Sequence, residues 1–324
     1  MFFIGGYFSF EKKLSGNNPE WIANAIKVQS GRMALLYELQ NRDTKTIWLP
    51  YYYCNTVPKL LKKLGYIVKF YRFGDDFRII LPKKFSKKDI IILVDYFGLT
   101  SQSLKKDIDF FENKNLIVDA SMSLWIKLSS KTPTFFSPRK FIGIPDGGFL
   151  KNPSKKFTLK KYKSNISKKR SSYLYLRDIG LIQKGREAFS KAEQSFALDN
   201  EPMSMSNYTQ NLISNVDFDL IFKRRRKNYL YLKKKLSNFR IKSYELPKKT
   251  APLCFPIHHE NASLVIESLL KKNIFCPQYW PKLILPKNDI KGLELLNKTV
   301  FIPIDQRYGI TEMNYIIYNL KKII

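Results

Sequence analysis

Apolar positions in the first half of the chain follow two alternating patterns. Four short apolar runs predict strands: TIWLP (46–50), YIVKFYRF (66–73), DIIILVDYFG (89–98) and NLIVDAS (115–121). Apolar residues recurring three and four positions apart predict helices in GRMALLYELQNR (31–42), TVPKLLKKLG (56–65) and SLKKDIDFFENK (103–114). The last two strands are apolar almost throughout, as expected of strands that are buried on both faces. The alternation predicts an α/β fold in which helices sandwich a mostly parallel central sheet.

The second half begins with a segment, residues 151–200, whose basic and polar character predicts no clear element. A long helix is then predicted from about Ser206 to Asn238. The tail alternates again, with strands in APLCFPIHH (251–259) and TVFIPI (299–304) and helices in NASLVIESLLKKN (261–273) and TEMNYIIYNLKKI (311–323). We therefore expect a large domain over residues 1–227 and a smaller C-terminal α/β domain over residues 228–324.

The 324-residue chain is strongly basic, with 57 Lys and Arg against 27 Asp and Glu, a net charge of +30. Sequence-independent binding to nucleic acid is one interpretation of this excess. The basic residues are spread along the chain, however, with moderate clusters at 83–88, 160–170 and 223–227, and no nucleic-acid-binding motif accompanies them. We favour solvated surface charge, which leaves attraction of an anionic substrate or a membrane surface open.

Cysteine and histidine usage excludes several classes of site. The three cysteines (54, 254 and 276) show no CxxC spacing, so neither a disulfide framework nor a zinc site is expected. The two histidines, His258 and His259, are adjacent, which argues against a shared metal or a Ser-His-Asp centre. The first ten residues lack the basic region of a signal peptide, and no apolar run is long enough to cross a bilayer. A cytoplasmic protein without a transmembrane segment is expected.

Three features converge at the predicted carboxyl ends of the strands, where open parallel sheets bind ligands. Ser30-Gly31-Arg32 opens a helix whose free N–H groups suit a phosphate. Asp119 ends an apolar strand, either as a cap for the following residues or as the partner of a buried cation. Lys140 lies in a loop between Pro138 and Gly147-Gly148. A phosphate cup, an acid and a lysine are what pyridoxal phosphate (PLP) requires, with the lysine as Schiff-base former and the acid keeping the ring nitrogen protonated.

These residues resemble the motifs of the DegT-like nucleotide-sugar aminotransferases, PLP-dependent enzymes of fold type I. The strongest match is the lysine loop, in which Lys140 is followed by five residues, Asp146 and Gly147-Gly148. The other matches, in chain order, are SGRMAL (30–35), PYYYCNTVPKLLKKLG (50–65), DYFG (95–98), DAS (119–121) and NEPMS (200–204). The resemblance covers residues from about 28 to the end and is strongest between 30 and 148.

The chain departs from the family pattern at several positions. The Thr of the phosphate cup is Arg32, which has the bidentate geometry to bind a phosphate. The ring-stacking aromatic falls at Cys54, so Tyr53 or Tyr52 is expected to take its role. Phe135 replaces the phosphate-binding Ser, which leaves Ser137 as the stand-in. Asp95 stands where the family has a His, and Pro202 stands where it has an Arg.

The resemblance implies a two-stage amino transfer from glutamate to a nucleotide-linked keto-sugar for amino-sugar or polysaccharide biosynthesis. It assigns catalysis to Lys140, which carries the proton, and to Asp119. It also implies a homodimer with shared active sites, in which Asn200 of one subunit acts in the site of the other. The positions that it assigns to cofactor binding, besides these, are Gly31, Arg32, Tyr53, Cys54, Ser121 and Ser137. The alternative, suggested by the residues at 54, 95 and 202, is a catalytically degenerate binding or regulatory protein with the same fold.

Overall fold

The computed structural model describes residues 3–11, 19–40, 42–81, 86–111, 115–128, 131–237 and 244–324. The strands in this part of the chain are β1 (Ile4–Gly5), β2 (Ile26–Val28), β3 (Thr46–Pro50), β4 (Ile67–Phe73), β5 (Ile79–Ile80), β6 (Ile90–Val94), β7 (Asn115–Asp119), β8 (Thr134–Phe136), β9 (Gly148–Lys151), β10 (Phe255–His258), β11 (Ile274–Phe275) and β12 (Thr299–Ile302). The helices are α1 (Glu20–Ala23), α2 (Gly31–Leu39), α3 (Thr56–Lys63), α4 (Ser101–Phe110), α5 (Ser164–Arg170), α6 (Ser172–Asp178), α7 (Ile182–Ala197), α8 (Asn207–Ile213), α9 (Phe218–Lys235), α10 (Ala262–Leu270), α11 (Ile290–Asn297) and α12 (Ile310–Leu320).

An eight-stranded sheet forms the centre of the molecule, in the order β2-β9-β8-β7-β6-β3-β4-β5. Its middle strands β8, β7, β6, β3 and β4 are parallel, while β2, β9 and β5 pair antiparallel at the flanks. The apolar run Ile90–Leu93 of β6 is buried because helices cover both faces. The predicted α/β class and mostly parallel sheet are confirmed.

The buried strands are shorter than their apolar runs. The run 89–98 pairs only as far as Val94, because Tyr96–Gly98 forms a 3-10 turn in which Phe97 (φ 58°) and Gly98 (φ 71°) adopt left-handed conformations. The run 115–121 ends as a strand at Asp119. The helix predicted at 103–114 is α4, and its residues 112–114 lie outside the described part of the chain.

The single helix predicted from Ser206 to about Asn238 is wrong, because the structure divides it into α8 and α9. Asp217 stops the continuation by capping α9, accepting a hydrogen bond from Leu220 N at 2.8 Å. Apolar spacing carries on across the break, so periodicity alone does not reveal it. Asn238 lies outside the described residues.

A smaller antiparallel pair, β10 and β12, packs with α10 and α12 near the end of the chain. The N-terminal β1 pairs with β11 of this region rather than with the central sheet. The predicted boundary between residues 227 and 228 lies inside α9, which packs against α12. The division into two domains stays a prediction.

Part of the basic excess is buried. In the cluster 223–227, Arg225 is 1% exposed and donates hydrogen bonds to the carbonyls of Phe141 and Leu253. Its neighbour Arg226 donates to two further carbonyls, those of Pro247 and Thr250. These guanidinium groups join segments of the core and are not free to bind a phosphate backbone. The cluster 83–88 lies in part outside the described residues. Every helix in the described ranges is too short or too polar to span a membrane.

The lysine loop docks against the start of α2 through two glycines. Gly147 has φ 129°, a conformation that strongly favours glycine, and its N–H donates to Gln29 O at 2.8 Å. A Cβ on Gly148 would lie 2.3 Å from the carbonyl carbon of Ser30 and 2.5 Å from Gly31 N. The backbones therefore meet too closely for any side chain.

Replacing Gly148 with Ala should destabilise the protein by about 1–3 kcal/mol or more, because backbone atoms cannot move aside cheaply. Urea unfolding followed by circular dichroism measures the change. Gly74→Ala is the matched control, since the nearest atom to its added Cβ is a side-chain oxygen at 3.3 Å. Equal midpoints for the two variants would contradict the close approach described here.

Candidate active site

Asp119 is the last residue of β7 and accepts hydrogen bonds on both carboxylate oxygens. Oδ1 accepts from Ser121 N at 2.7 Å, and Oδ2 accepts from the Tyr53 hydroxyl. Burial, followed by the nearby Asp119 carboxylate, raises the pKa of Tyr53 well above 10, so this hydroxyl stays protonated and remains a donor. Among the described residues no cation forms an ion pair with Asp119. The carboxylate thus caps the turn after β7 and keeps lone pairs for a further donor.

Lys140 ends a short 3-10 turn, Pro138–Lys140, that follows β8. Its Nζ donates to Ser121 Oγ at 3.1 Å. Because β8 pairs in parallel with β7, the chain after each strand emerges at the same edge of the sheet. Hydrogen bonds therefore connect Tyr53, Asp119, Ser121 and Lys140 in one continuous set, all positions that the sequence had singled out.

The first turn of α2 faces the lysine loop. Ser30 caps this helix by accepting from Met33 N at 3.3 Å, and it pairs with Gly147 in a parallel bridge, which occupies the backbone beside Gly31. The N–H of Arg32 has no acceptor in the described part of the chain. Ser137 Cβ lies 3.1 Å from where a Cβ on Gly31 would stand, so Ser137 forms the opposite wall. A free N–H at a helix start attracts an anion, and its place beside Ser137 makes a small cup.

Arg32 extends from this cup to the end of α7. Its Nη2 donates to the carbonyl of Phe196, and its Nε is buried without a hydrogen-bond partner among the described residues. Burial lowers the pKa of Arg32, and the nearby carboxylate of Asp199 and thiol of Cys54 offset part of that effect. Cys54 is half-buried, with Sγ 3.1 Å from Thr56 Oγ1. Arg32 is thus a half-buried cation whose Nε is an unused donor beside the cup.

The structure distinguishes the two tyrosines proposed to replace the family's aromatic. Tyr52 points into the core, where its ring packs against Tyr96 and Trp280 at centroid distances of 5.9 and 5.1 Å. Tyr53 also lies near Trp280, at a centroid distance of 6.2 Å, but its hydroxyl donates to Asp119. The chain bends here, with Tyr53 N donating to Tyr51 O at 3.0 Å, so the two hydroxyls reach different partners. Tyr53 is the aromatic residue beside the acid.

Asp95 occupies the position of the family's His and is fully buried. Its Oδ1 accepts from Thr100 N at 3.1 Å and from Thr100 Oγ1 at 3.0 Å. Oδ2 has no hydrogen bond of good geometry, although the Ser123 hydroxyl lies near it. Burial raises the pKa of Asp95 to about 6, and these hydroxyls offset part of the shift. The residue holds the start of α4, and its backbone N–H donates to Asp119 O at 3.0 Å.

Asp146, the acid of the lysine loop, lies away from the cup. It is fully buried and accepts from Ser206 N at 3.1 Å and from the hydroxyls of Ser206, Ser167 and Thr209. These donors come from α5 and from the start of α8. Asp146 therefore anchors the loop that carries Lys140, which gives the acid at this spacing a structural role.

The segment 151–200, which the sequence left unassigned, supplies α7 as a wall beside the lysine loop. Arg139 turns away from Lys140, pairs with Glu193, and places its guanidinium carbon 4.0 Å from the centre of the Phe196 ring. A signal for this helix does exist: Phe189, Ala192 and Phe196 recur three and four positions apart. The surrounding lysines obscure it.

Asn200 is exposed, and its side chain has no hydrogen-bond partner in the described ranges. The backbone on either side of it is tied to the vicinity of the cup. Arg32 donates to Phe196 O, and the Gln29 amide donates to Glu201 O at 2.8 Å. The structure thus brings eight of the nine predicted site positions together and leaves the Asn200 side chain directed to solvent.

The residues present fit PLP. A phosphate group needs donors, which are the N–H of Arg32 at the start of α2 and the unused Arg32 Nε. A pyridinium nitrogen needs an acceptor, which Asp119 provides within the hydrogen-bonded set. The amine is that of Lys140, which Ser121 links to Asp119. The donors and acceptors occur in the types that the cofactor requires.

Solved structures that are similar to this chain include sugar aminotransferases. CalS13 from Micromonospora echinospora has a TM-score of 0.61 at 12% identity, over 95% of this chain and 93% of its own. TlmJ from Streptoalloteichus hindustanus, an aminotransferase, has a TM-score of 0.65 at 12% identity, over 95% and 91%. A candidate sugar aminotransferase from Streptococcus pneumoniae in its PLP form has a TM-score of 0.63 at 13% identity, over 98% and 92%.

No family model matches the chain, and no curated protein matches it in sequence. At 12–13% identity the structural likeness establishes the fold. The fold type I architecture expected from the motifs is confirmed.

The raised pKa of Asp95 predicts how stability depends on pH. The folded protein holds this proton more tightly than the unfolded chain, so stability should fall as the pH rises from about 4 to about 6. Asp95→Asn removes the buried charge and should raise the free energy of unfolding at pH 7 by about 1–3 kcal/mol, with little effect at pH 4. Urea unfolding across this range measures it.

The control is Asp109→Asn on the exposed face of α4, which should not alter the pH profile. An Asp95→Asn variant that keeps the wild-type profile between pH 4 and 6 would show that another group is responsible.

Proposed function

We propose that this protein is a PLP-dependent aminotransferase that acts on a keto-sugar. The observation that carries the proposal is the hydrogen-bonded set from Tyr53 through Asp119 and Ser121 to Lys140, beside the open start of α2. The sugar aminotransferases that share the fold support the reaction class. PLP supplies the electron sink that lets an amino acid lose its α-proton and hand over its amino group.

One group of residues binds the cofactor, and Lys140 transfers the proton. The N–H of Arg32, the Arg32 guanidinium and the Ser137 hydroxyl hold the phosphate, with Cys54 beside Arg32. Asp119 would accept a hydrogen bond from the ring N–H and keep that nitrogen protonated, and Tyr53 orients the carboxylate through its hydroxyl.

Lys140 moves the proton. Its amine would take the proton from the donor's α-carbon as a general base and, once protonated, would be able to act as a general acid. Ser121 accepts from Lys140 Nζ, while its own N–H donates to Asp119, so it aligns the amine with the acid. The Lys140 side chain is long enough for its amine to move while the loop that carries it stays in place. Asp146 anchors that loop.

The finer features of the proposal rest on the family resemblance. Glutamate is the amino donor, the keto-sugar is nucleotide-linked, and the product enters amino-sugar or polysaccharide biosynthesis in the cytoplasm. Two copies form a homodimer in which the exposed Asn200 of one subunit serves the site of the other. The basic surface suits an anionic substrate of this kind.

Reduction with borohydride in the presence of PLP should label Lys140, detected as a pyridoxyl mass on the peptide that contains it. Lys140→Ala should lose this label and reduce the half-reaction with glutamate by about 10²–10⁴-fold or more. Lys131→Ala, an exposed lysine of the same region, should keep both. A wild-type protein without the label would refute the proposal. A labelled protein that is inert with every amino acid would favour the degenerate binding protein.

Arg32→Ala should weaken PLP binding by about 10–100-fold, since a hydrogen bond from a charged donor contributes about 1.5–3 kcal/mol. Equilibrium dialysis against PLP gives the affinity without requiring turnover. Arg186→Ala, an exposed arginine of α7, is the control and should bind as the wild type does. Unchanged affinity in Arg32→Ala would remove Arg32 from the phosphate cup.

A further inference from the structure

The loop from Lys140 to Asp146 runs through the core, and its backbone groups need partners from other parts of the chain. Phe141, Ile142 and Ile144 are at most 1% exposed. The carbonyl and N–H groups of this stretch are therefore shielded from water and must be paired within the protein. Asp146 ties only the far end of the loop. The groups nearest Lys140 are paired by three other side chains.

Gln306, in the turn after β12, binds the residue that follows Lys140. Its Nε2 donates to Phe141 O at 2.7 Å and to Glu11 Oε2 at 3.0 Å. Its Oε1 accepts from Arg225 Nε at 3.1 Å. Because both N–H groups and the oxygen of the amide have partners, the Gln306 side chain is fixed in one orientation.

Arg225 of α9 binds the same carbonyl from a second direction. Its Nη2 donates to Phe141 O at 3.2 Å, and its guanidinium carbon lies 4.9 Å from the centre of the Phe141 ring. It also donates to Leu253 O at 3.1 Å, which holds it in the core. Phe141 O thus accepts from two side chains, and Gln306 makes the shorter of the two bonds.

The N-terminal segment packs on the next residues of the loop. Glu11 N donates to Gly143 O at 3.2 Å, and Glu11 Oε2 accepts from Gly143 N at 3.3 Å. A Cβ on Gly143 would lie 1.6 Å from Ser9 O, so the two backbones are in direct contact. Burial raises the pKa of Glu11, and the hydrogen bonds from Gln306 and Gly143 N offset part of that effect. Gln306 therefore connects this segment to the carbonyl next to Lys140.

We infer that Gln306 is a positioning residue for the Lys140 amine. Lys140 ends the turn that begins at Pro138, and Phe141 N closes this turn by donating to Pro138 O at 2.8 Å. Gln306 binds the carbonyl of the same residue, Phe141, and so fixes the backbone on the other side. The direction in which the Lys140 side chain leaves this backbone decides whether its Nζ reaches Ser121 Oγ at 3.1 Å. The inference rests on the proposed function for the chemistry that the amine performs.

The test compares two Gln-to-Met variants, because Met has nearly the length of Gln but no amide. Gln306→Met removes the three hydrogen bonds described above. Gln210→Met is the matched control, since Gln210 is also half-buried and its Nε2 donates to a backbone carbonyl outside the lysine loop, Met205 O at 3.0 Å. Urea unfolding of both variants measures the loss of stability that accompanies each change.

The first readout is the fraction of bound PLP that borohydride attaches to Lys140. Equilibrium dialysis gives the amount bound, and the pyridoxyl mass on the Lys140 peptide gives the amount attached. Gln306→Met should lower this fraction about 3–10-fold, as expected for the loss of one or two hydrogen bonds, and Gln210→Met should stay within about 2-fold of the wild type. A loss of stability alone reduces both amounts together and leaves the fraction unchanged.

The second readout needs no cofactor. Trace acetylation of the protein without PLP, followed by peptide mass spectrometry, gives the reactivity of the Lys140 amine relative to that of the exposed Lys131. Gln306→Met should raise this ratio about 2–5-fold, because an amine released from Ser121 is more accessible to the reagent.

Unchanged readouts in Gln306→Met, with a lower urea midpoint, would overturn the inference, because they would show that Gln306 only stabilises the fold. If Gln306→Met does not fold, Gln306→Glu replaces it. Glutamate keeps the acceptor for Arg225 but lacks the donor to Phe141 O, so it should change both readouts in the same directions.

Failure of this inference and failure of the proposed function are distinguishable. A wild-type protein without the borohydride label refutes the proposed function, while a raised acetylation ratio in Gln306→Met still supports the positioning of Lys140. A labelled wild-type protein whose two readouts are unchanged in Gln306→Met overturns the inference alone.

Discussion

The close contact between the lysine loop and the first turn of α2 is the constraint on which the candidate site depends. Gly148 passes against the backbone of Ser30 and Gly31, and Gly147 N donates to Gln29 O. The free N–H of Arg32 in α2 follows directly from one side of this contact, and the turn that carries Lys140 belongs to the other. Asp146 anchors the same loop through four donors from α5 and α8. An anion cup and an amine thus keep a fixed separation without any direct bond between them.

The basic residues divide by chemistry into those that build the fold and those that remain at the surface. Arg225 and Arg170 are each held by several acceptors within the protein, and Arg139 pairs with Glu193. The planar guanidinium suits this role because its fixed donors reach several carbonyls or carboxylates at once. Lysine carries a single, strongly hydrated ammonium and is mostly exposed. The net charge of +30 is therefore largely a property of the surface lysines.

The positions that depart from the family pattern have local structural explanations. Asp95 caps the chain at Thr100, where its oxygen serves two donors. The Gln29 side chain binds the backbone on both sides of Pro202, donating to Glu201 O and accepting from Met203 N, each at 2.8 Å. Neither bond requires an N–H at position 202, so a proline is accommodated there. Cys54 lies beside Arg32, and Tyr53 reaches Asp119. The residues that change lie around the hydrogen-bonded set in which Ser121 links Lys140 to Asp119.

Local sequence determined the elements of the α/β sheet and the order of its site residues. Apolar runs such as Ile90–Val94 specify buried strands because strand burial is a local pattern, and Ser30, Asp119 and Lys140 stand at strand or helix ends for the same reason. Only the tertiary structure decided which of Tyr52 and Tyr53 meets the acid, where the helix after Ser206 breaks, and what Arg139 does. Each of these depends on partners distant in the chain, such as Glu193 and Phe196 on α7, and no local pattern encodes a contact of that kind.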